Sequence, residues 1–476
     1  MSSSWVVDVD YLEPQANVEG WVVDMEKKLE DAEPPVKVEK WPKHSIFRVP
    51  LRFKSKMVDG RANSLYKPQT VSLGPFHHDD EELKPMEEHK LRAVRHLLGR
   101  VSCKTTLAKL VAAVEEVADE LQDAYMELGD EWRGEENRGK FLEMMITDGC
   151  FLLEVMRGAA TIGKKDSIPT GDYAHGDPIF SRHGIQHIKP FVQRDMLLVE
   201  NQLPLSLLEK IVTAESGTSP SVAWINSMVL KFLERNDDPD GTDKLGLHPL
   251  DIYRTSRLKK RAQTKERGMD DAVDRPQRVV PRSAWKLSEA GIRFLPSKTG
   301  FLDDIKLDNG RLYMPKVVLD DSTAYRIHNM MAFEAMHIGT GNDVTAYVLF
   351  VKDLVDSIDD VRLLERKGIV EHDLAADHAA VVRLFNDLTR DVSKNWESQL
   401  CRVREAVEYH YRSNWMRVIS CTSRGETSDL RRKYFRGPWS LLALVTAILL
   451  VVGDIVQAVF AVLSYYKPDN DKPKMH

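Results

Sequence analysis

The chain has 476 residues, with 67 Lys and Arg against 73 Asp and Glu, a formal net charge of −6 and 42% hydrophobic residues. These proportions support a buried core and exclude whole-chain disorder, a collagen-like repeat and a polytopic membrane protein. Residues 1–40 hold ten acidic and four basic side chains, so the remainder is neutral overall and offers no basic coat for nucleic acid.

Residues 1–40 read as an acidic, flexible tail with a short amphipathic helix near Val22–Leu29, stopped by Pro34-Pro35. From Trp41 the pattern turns globular, and 41–435 is expected to form a single, mostly helical domain. Ile46–Phe53 and Gln69–Leu73 read as extended segments, the second ended by Gly74-Pro75. Helices are expected at Pro85–Gly99 and at Thr106–Leu128, where Leu107, Leu110, Val111, Val114, Val117 and Leu121 keep a helical stripe. Phe141–Met156 is apolar around its whole circumference and so predicts a buried helix. Phe191–Leu198 and Leu205–Val212 read as helical pieces separated by Asn201-Gln202-Leu203-Pro204.

Residues 236–282 are rich in charge and poor in apolar side chains, and predict a flexible surface loop with a basic run at Arg257, Lys259, Lys260 and Arg261. Ala284–Ala290 is a helical turn. Phe301–Leu307 and Leu312–Leu319 flank Asp308-Asn309-Gly310-Arg311, a hairpin whose Asn-Gly pair suits a turn with positive φ. Thr323–His337, Val344–Leu364, Asp377–Val392, Trp396–Tyr411 and Asn414–Ser420 complete the helices. The expected fold class is mainly α: a helical body with a few short strands and one β-hairpin, plus one C-terminal transmembrane helix.

That last expectation rests on Leu441–Leu463, 23 residues of which 15 are Leu, Ile, Val or Phe. As one helix it would reach roughly 34 Å, against a hydrocarbon core of about 30 Å. The apolar insertion energies outweigh the cost of Asp454 and Gln457. Trp439, Tyr465 and Tyr466 sit where an aromatic belt belongs, which sets the span at 439–466 and a polar tail at 467–476. Upstream basic residues outnumber downstream ones, so the expectation is a single-pass, tail-anchored protein, its bulk cytosolic and the plasma membrane its compartment. No basic n-region or apolar h-region opens the chain, which predicts no cleavable signal. The expected partners are the bilayer through Leu441–Leu463, unidentified proteins, and a second copy through Asp454 and Gln457, which share a helix face.

Motifs for catalysis are missing from the sequence: no phosphate-cradling G-x-x-x-x-G-K-S/T, no G-x-G-x-x-G, no G-x-S-x-G, no H-E-x-x-H. Four cysteines without Cys-x-x-Cys or Cys/His ligand spacing predict neither a disulfide scaffold nor structural zinc, and no cofactor or metal is expected. His77-His78 before Asp79-Asp80-Glu81-Glu82 offers metal-ligand side chains, but the run reads as a polar loop after Gly74-Pro75. Asp148, Glu154, Asp195 and Glu200 are acids inside apolar runs. Such carboxylates are either catalytic with shifted pKa or held in ion pairs, with Arg157, Arg194 and Lys189 the partners nearest in sequence. The row Asp353, Asp356, Asp359, Asp360 reads as the solvated face of a helix.

Several segments together resemble a plant family, Domain of Unknown Function 247. They are YKPQTVSLGPFHH at Tyr66–His78, LKPMEEHKLR at Leu83–Arg92, MITDGCFLLE at Met145–Glu154, RDMLLVENQLPLSL at Arg194–Leu207 and PRSAWKLSEAGIRF at Pro281–Phe294. Phe301–Glu334, Tyr347–Leu364 and Tyr434–Tyr466 extend the resemblance over about residues 44–466. Val199 stands where the family often has Leu, and Phe76 where Tyr is common. The resemblance implies a plant-restricted, membrane-anchored protein without assigned catalytic residues. Some grass members are associated with pollen–pistil self-recognition. The expected function is therefore non-enzymatic interaction, recognition or signalling. The alternatives are an enzyme using buried carboxylates such as Asp148 and Asp195, or a lipid-binding scaffold.

Overall fold

The computed structural model describes residues 22–29, 43–54, 65–100, 105–162, 173–235, 244–259, 280–373, 377–390, 392, 398–421, 446 and 449–459. The chain divides into two units, Met1–Val407 and Glu408–His476. In chain order the helices are α1 (22–29), α2 (Leu51–Lys54), α3 (Glu87–Gly99), α4 (Leu107–Glu115), α5 (Ala118–Asp123), α6 (Arg138–Thr161), α7 (Arg182–Asp195), α8 (Leu205–Ser216), α9 (Val222–Phe232) and α10 (Pro249–Ser256). They continue as α11 (Ala284–Glu289), α12 (Thr323–Met336), α13 (Asp343–Leu354), α14 (Ile358–Arg366), α15 (His378–Leu388), α16 (Gln399–Cys421) and α17 (449–459). The body is mainly helical, as the sequence predicts.

The axis of the first unit is α6, 24 residues long. Phe141, Met145, Phe151, Leu152 and Leu153 are all buried, and α3, α4, α7, α8 and α9 pack around it. An all-round apolar helix can only be stable when surrounded, since each large side chain removed from water contributes about 1.5–3 kcal/mol. Gly149 brings α8 close: a Cβ there would lie 2.5 Å from Ile211 Cδ1. Thr106, Ser181 and Ser221 start α4, α7 and α9 by accepting hydrogen bonds from the first-turn amides, which helix ends otherwise leave unpaired.

Two small sheets flank the helices. In the first, β1 (Arg293–Pro296) runs parallel to β3 (Arg311–Met314), and β2 (Lys306–Asp308) pairs antiparallel with β3, Leu307 opposite Leu312. The predicted hairpin turn is present, with Asn309 at φ 46 and Gly310 at φ 75. In the second, β4 (Val317–Leu319) pairs parallel with β5 (Val370–His372), Leu319 opposite His372.

Several boundaries differ from the sequence reading. The helix expected over Thr106–Leu128 breaks after Glu115 into α4 and α5, and that over Val344–Leu364 breaks into α13 and α14. Ser357 with Asp360 forms a capping box that restarts the chain as α14. Gln69–Leu73 is extended but joins no sheet. Within 236–282, expected as a loop, α10 is a helix that buries Leu250, Ile252, Tyr253 and Arg254, while 236–243 and 260–279 lie outside the described residues. His248 starts α10 by accepting a 3.3 Å hydrogen bond from the Asp251 amide.

The transmembrane helix expected at Leu441–Leu463 is corrected. Among the described residues no helix is long and apolar enough to cross a membrane. Within that stretch the described continuous helix, α17, covers 449–459. Eleven residues rise about 16 Å, roughly half of a hydrocarbon core. The energetic sum over Leu441–Leu463 requires one unbroken helix of that whole length, and the described residues give α17 there. The other long helices described, α6 and α16, carry too many charges for such a role. Residues 441–445, 447–448 and 460–463 lie outside the described residues, as do 467–476 and most of 1–40.

Candidate functional site

The four acids embedded in apolar runs are all buried, and the structure gives each a partner set. Asp148 sits mid-helix in α6, its side chain sealed from solvent. Its Oδ1 lies 2.6 Å from Lys90 Nζ, itself fully buried on α3, and its Oδ2 accepts a 2.7 Å bond from the Gly74 amide. Lys90 also donates to Ser72 Oγ at 2.9 Å and meets Glu87 at 2.7 Å. Burial pushes the Asp148 carboxyl above the usual range, and the ammonium of Lys90 pulls it back. Tyr125 closes this pocket, donating its hydroxyl to the Gln202 carbonyl at 2.9 Å. Burial, with Asp148 nearby, raises the phenol well above its ordinary value.

Asp195 ends α7 and holds the segment 69–71 by its backbone. Its oxygens accept from the amides of Gln69, Thr70 and Val71 at 2.7–3.2 Å, and Arg194 donates at 2.8 Å. Burial raises its pKa, opposed by those amides and the guanidinium. Asn201 continues the clasp: its Oδ1 accepts from the Leu73 amide at 2.7 Å, and its Nδ2 donates to the carbonyls of Val71 and Asp195 at 3.0 Å. Gln202 donates to the Met196 and Leu198 carbonyls and accepts from the Leu250 amide. Extended backbone that would otherwise need a strand partner is thus satisfied by side chains.

Glu200 accepts from the Val49 amide at 2.5 Å and from Lys54 at 2.9 Å, with His77 Nε2 at 3.4 Å. Burial works against ionisation of Glu200, but His77, Lys54 and Val49 outweigh it and hold the carboxyl below its ordinary value. His77 turns instead towards Asp80 and Glu200, and His78 packs edge-on against Trp132, so His77–Glu82 do not converge on a common point. These segments, 69–78 and 194–204, lie within two of the blocks that carry the family resemblance, and they face one another. Polar side chains of the second bind the backbone of the first. None of these carboxylates presents a free oxygen to a substrate.

Glu154 belongs to a different cluster. It meets His96 at 3.0 Å, Arg100 at 2.5 Å and Arg157 at 3.2 Å, and Glu215 of α8 takes Arg157 at 2.6 Å. Burial opposes ionisation of Glu154, yet His96 and the two guanidiniums hold it below the carboxylate range. Tyr173 stacks on His96 with ring centroids 3.6 Å apart.

This charged layer underlies a groove of about 940 Å³ between α6, α7, α8 and α9. Its floor includes Met156, Val212, Met228 and Phe232, and its wall carries Trp224, 44% exposed. Arg100, Arg157, Lys189 and Lys231 line it against one acid, Glu215. Lys189, expected to pair with a buried acid, instead meets Glu234 at 2.8 Å.

The row of acids at 353–360 does not share one face. Asp353 pairs with Arg404, whereas Asp360 is buried and accepts from the Trp285 amide at 2.8 Å and from Ser357. Asp454 and Gln457 stand one turn apart on α17, both exposed.

The sequence reading missed Lys90. Met86, Lys90, Ala93 and Leu97 follow helical spacing on one stripe, all buried, and a lysine on such a stripe signals a buried acid opposite. Asn201 and Gln202, read only as a break between helices, are the hubs of the clasp.

A protein from Arabidopsis thaliana, UPF0481 protein At3g47200, is similar at 26% identity over 456 residues, covering 90% of this chain and 87% of the relative. Putative UPF0481 protein At3g02645, from the same plant, is 22% identical over 541 residues, covering 94% and 95%. No solved structure matches the chain. The family DUF247, described as plant protein of unknown function, matches residues 46–453, the stretch that contains both the clasp and the groove, and the chain belongs to that family.

Proposed function

We propose that this chain is a non-enzymatic recognition protein that binds a protein partner through the groove between α6, α7, α8 and α9. The observation that carries the reading is the groove itself: an apolar floor, an exposed Trp224 and four cationic side chains, of which Arg100, Arg157 and Lys189 already meet Glu154, Glu215 and Glu234 while Lys231 stands exposed at the edge. Exposed tryptophan beside arginine is the composition of interface hot spots. The chemistry suits a partner segment with an apolar anchor and flanking carboxylates, because the anchor fills the floor and the carboxylates meet the rim.

The acids that an enzymatic reading would use speak for the same conclusion. Asp148 and Asp195 spend their oxygens on Lys90, Arg194 and backbone amides, so they hold the fold together and leave no base for proton transfer.

The test is quantitative co-capture from plant extract with the full chain, Trp224→Ala/Lys231→Glu, and a chain lacking residues 1–40. Partners that bind the groove are lost from the double variant and retained without the acidic tail. An unchanged partner set in the double variant removes the groove from the proposal.

A further inference from the structure

We propose that Glu365, His372 and His378 form a binding site for a borderline divalent transition cation, Zn²⁺ in the first instance. The three residues come from three consecutive elements. Glu365 lies on the last turn of α14, His372 ends β5, and His378 opens α15. Gly368, at φ 69, makes the left-handed turn that sends the chain from α14 back along β4.

The geometry places one donor atom of each residue within 4.8 Å of the others. His378 Nε2 is 2.9 Å from Glu365 Oε2, and His372 Nε2 is 4.0 Å from Glu365 Oε1. The two imidazole rings stand nearly perpendicular with centroids 5.0 Å apart, edge to face and not stacked. Tetrahedral ligands at 2.0–2.1 Å from zinc lie roughly 3.3 Å from one another, and small side-chain rotations reach that spacing.

An independent observation points to a ligand. The His372 side chain is 3% exposed, and neither of its ring nitrogens has a hydrogen-bond partner. A buried imidazole normally satisfies both nitrogens, and leaving them unpaired is costly. A metal ion takes one of them directly as a ligand.

Donor type sets the class of cation. Two imidazoles and one carboxylate match Zn²⁺ and its neighbours, whereas Ca²⁺ and Mg²⁺ require oxygen shells. Glu365 and His378 are partly exposed, so the fourth position opens to solvent, where water or a partner's side chain completes the tetrahedron. The bound ion ties the end of α14 and the start of α15 to the β4–β5 sheet.

The experiment strips the full-length chain with a chelator and titrates it with Zn²⁺ at pH 7.5 against a chromophoric competitor, with Mg²⁺ and Ca²⁺ as controls. Cobalt(II) absorption reads the coordination geometry. The expected result is one high-affinity Zn²⁺ per chain, a tetrahedral cobalt spectrum and no response to Mg²⁺ or Ca²⁺. His372→Ala lowers the affinity at least about 100-fold, since even partners outside the ligand shell are worth 10–100-fold. Binding weakens in acid, because protons compete with the ion for its ligands.

His183 and His187, edge to face on α7 with ring centroids 4.3 Å apart, provide the rival site and the control. The double variant His183→Ala/His187→Ala keeps the high-affinity ion if the proposal holds. Loss of that ion in the control, its retention in His372→Ala, or no binding by the wild-type chain each overturns the proposal. Should His372→Ala fail to fold by circular dichroism, the more exposed Glu365→Gln and His378→Ala decide by the same affinity criterion.

Discussion

Replacing Lys90 with methionine keeps its length and apolar stem and removes only the ammonium, leaving Asp148 buried and facing nothing charged. At the 2.6 Å separation of the pair, with an effective dielectric of about 20, the Coulomb attraction is about 6 kcal/mol. Desolvation of two fully buried charges offsets much of that, so the pair itself is worth little net, but breaking it costs about 3–5 kcal/mol. Urea denaturation of wild type, Lys90→Met, Asp148→Asn and the double variant at pH 7.5 measures it. Lys90→Met should lose about 3–5 kcal/mol, and the double variant much less than the sum of the singles. Asp148→Asn should be milder, because Lys90 keeps Glu87 and Ser72. The pH dependence supplies a second readout. Burial already raises the Asp148 carboxyl, and without Lys90 only the Gly74 amide opposes that rise, so the acid becomes neutral as the pH falls. The deficit of Lys90→Met therefore narrows between pH 7.5 and 5. A loss below about 1 kcal/mol, or strict additivity in the cycle, would refute the reasoning.

Gly74→Ala should cost at least about 2 kcal/mol, because φ 79 is left-handed and the added Cβ would lie 2.7 Å from the Tyr125 hydroxyl and 2.9 Å from the Gln202 carbonyl. Gly134→Ala, at φ 80 with nothing within 4 Å, should cost only about 1 kcal/mol, and equal losses in thermal melts would dismiss the close approach. His248 is buried and His328 half-buried, and desolvation holds both neutral, their pKa values depressed from 6.5 to about 4. Their contribution is complete above pH 6.5 and is lost as the pH falls towards 4, about 2 kcal/mol each at pH 5. His248→Gln should flatten the fall in urea midpoint between pH 7 and 5; an unaltered slope would remove His248 from the acid response. Asp360→Ala removes the carboxylate that restarts α14 and binds the Trp285 amide, and should cost about 1–2 kcal/mol by denaturation, with Asp359→Ala near neutral as the comparison.

Periodicity carried local information well. The all-round apolar run of α6, the stripe of α3 and the Asn-Gly turn between β2 and β3 were legible because each depends on side chains within a few residues of one another. Helix breaks at Glu116-Val117 and before Ser357 were not, since an apolar stripe can continue across a cap that redirects the chain. Composition misled at the C-terminus, where apolar content was read as a long spanning helix and the described helix is α17. It misled again at α10, a buried helix inside a stretch whose average charge suggested a loop.

The candidate sites divide in the same way. That Asp148, Glu154, Asp195 and Glu200 are unusual was visible from the apolar residues around them, because an acid in such a run needs a partner. Which partner it has depends on contacts between residues far apart in sequence: Lys90 for Asp148, the amides of 69–71 for Asp195, Arg100 for Glu154 and Val49 for Glu200. Only the packing of α3 against α6, and of 69–74 against 195–202, sets those distances. The sequence by itself determined the mainly helical class and the set of buried acids, through local spacing and hydrophobicity. The tertiary structure decided which cations and backbone amides those acids bind, that an open groove carries the cations, and that Glu365, His372 and His378 meet, because convergence of distant side chains is a property of packing and leaves no local pattern.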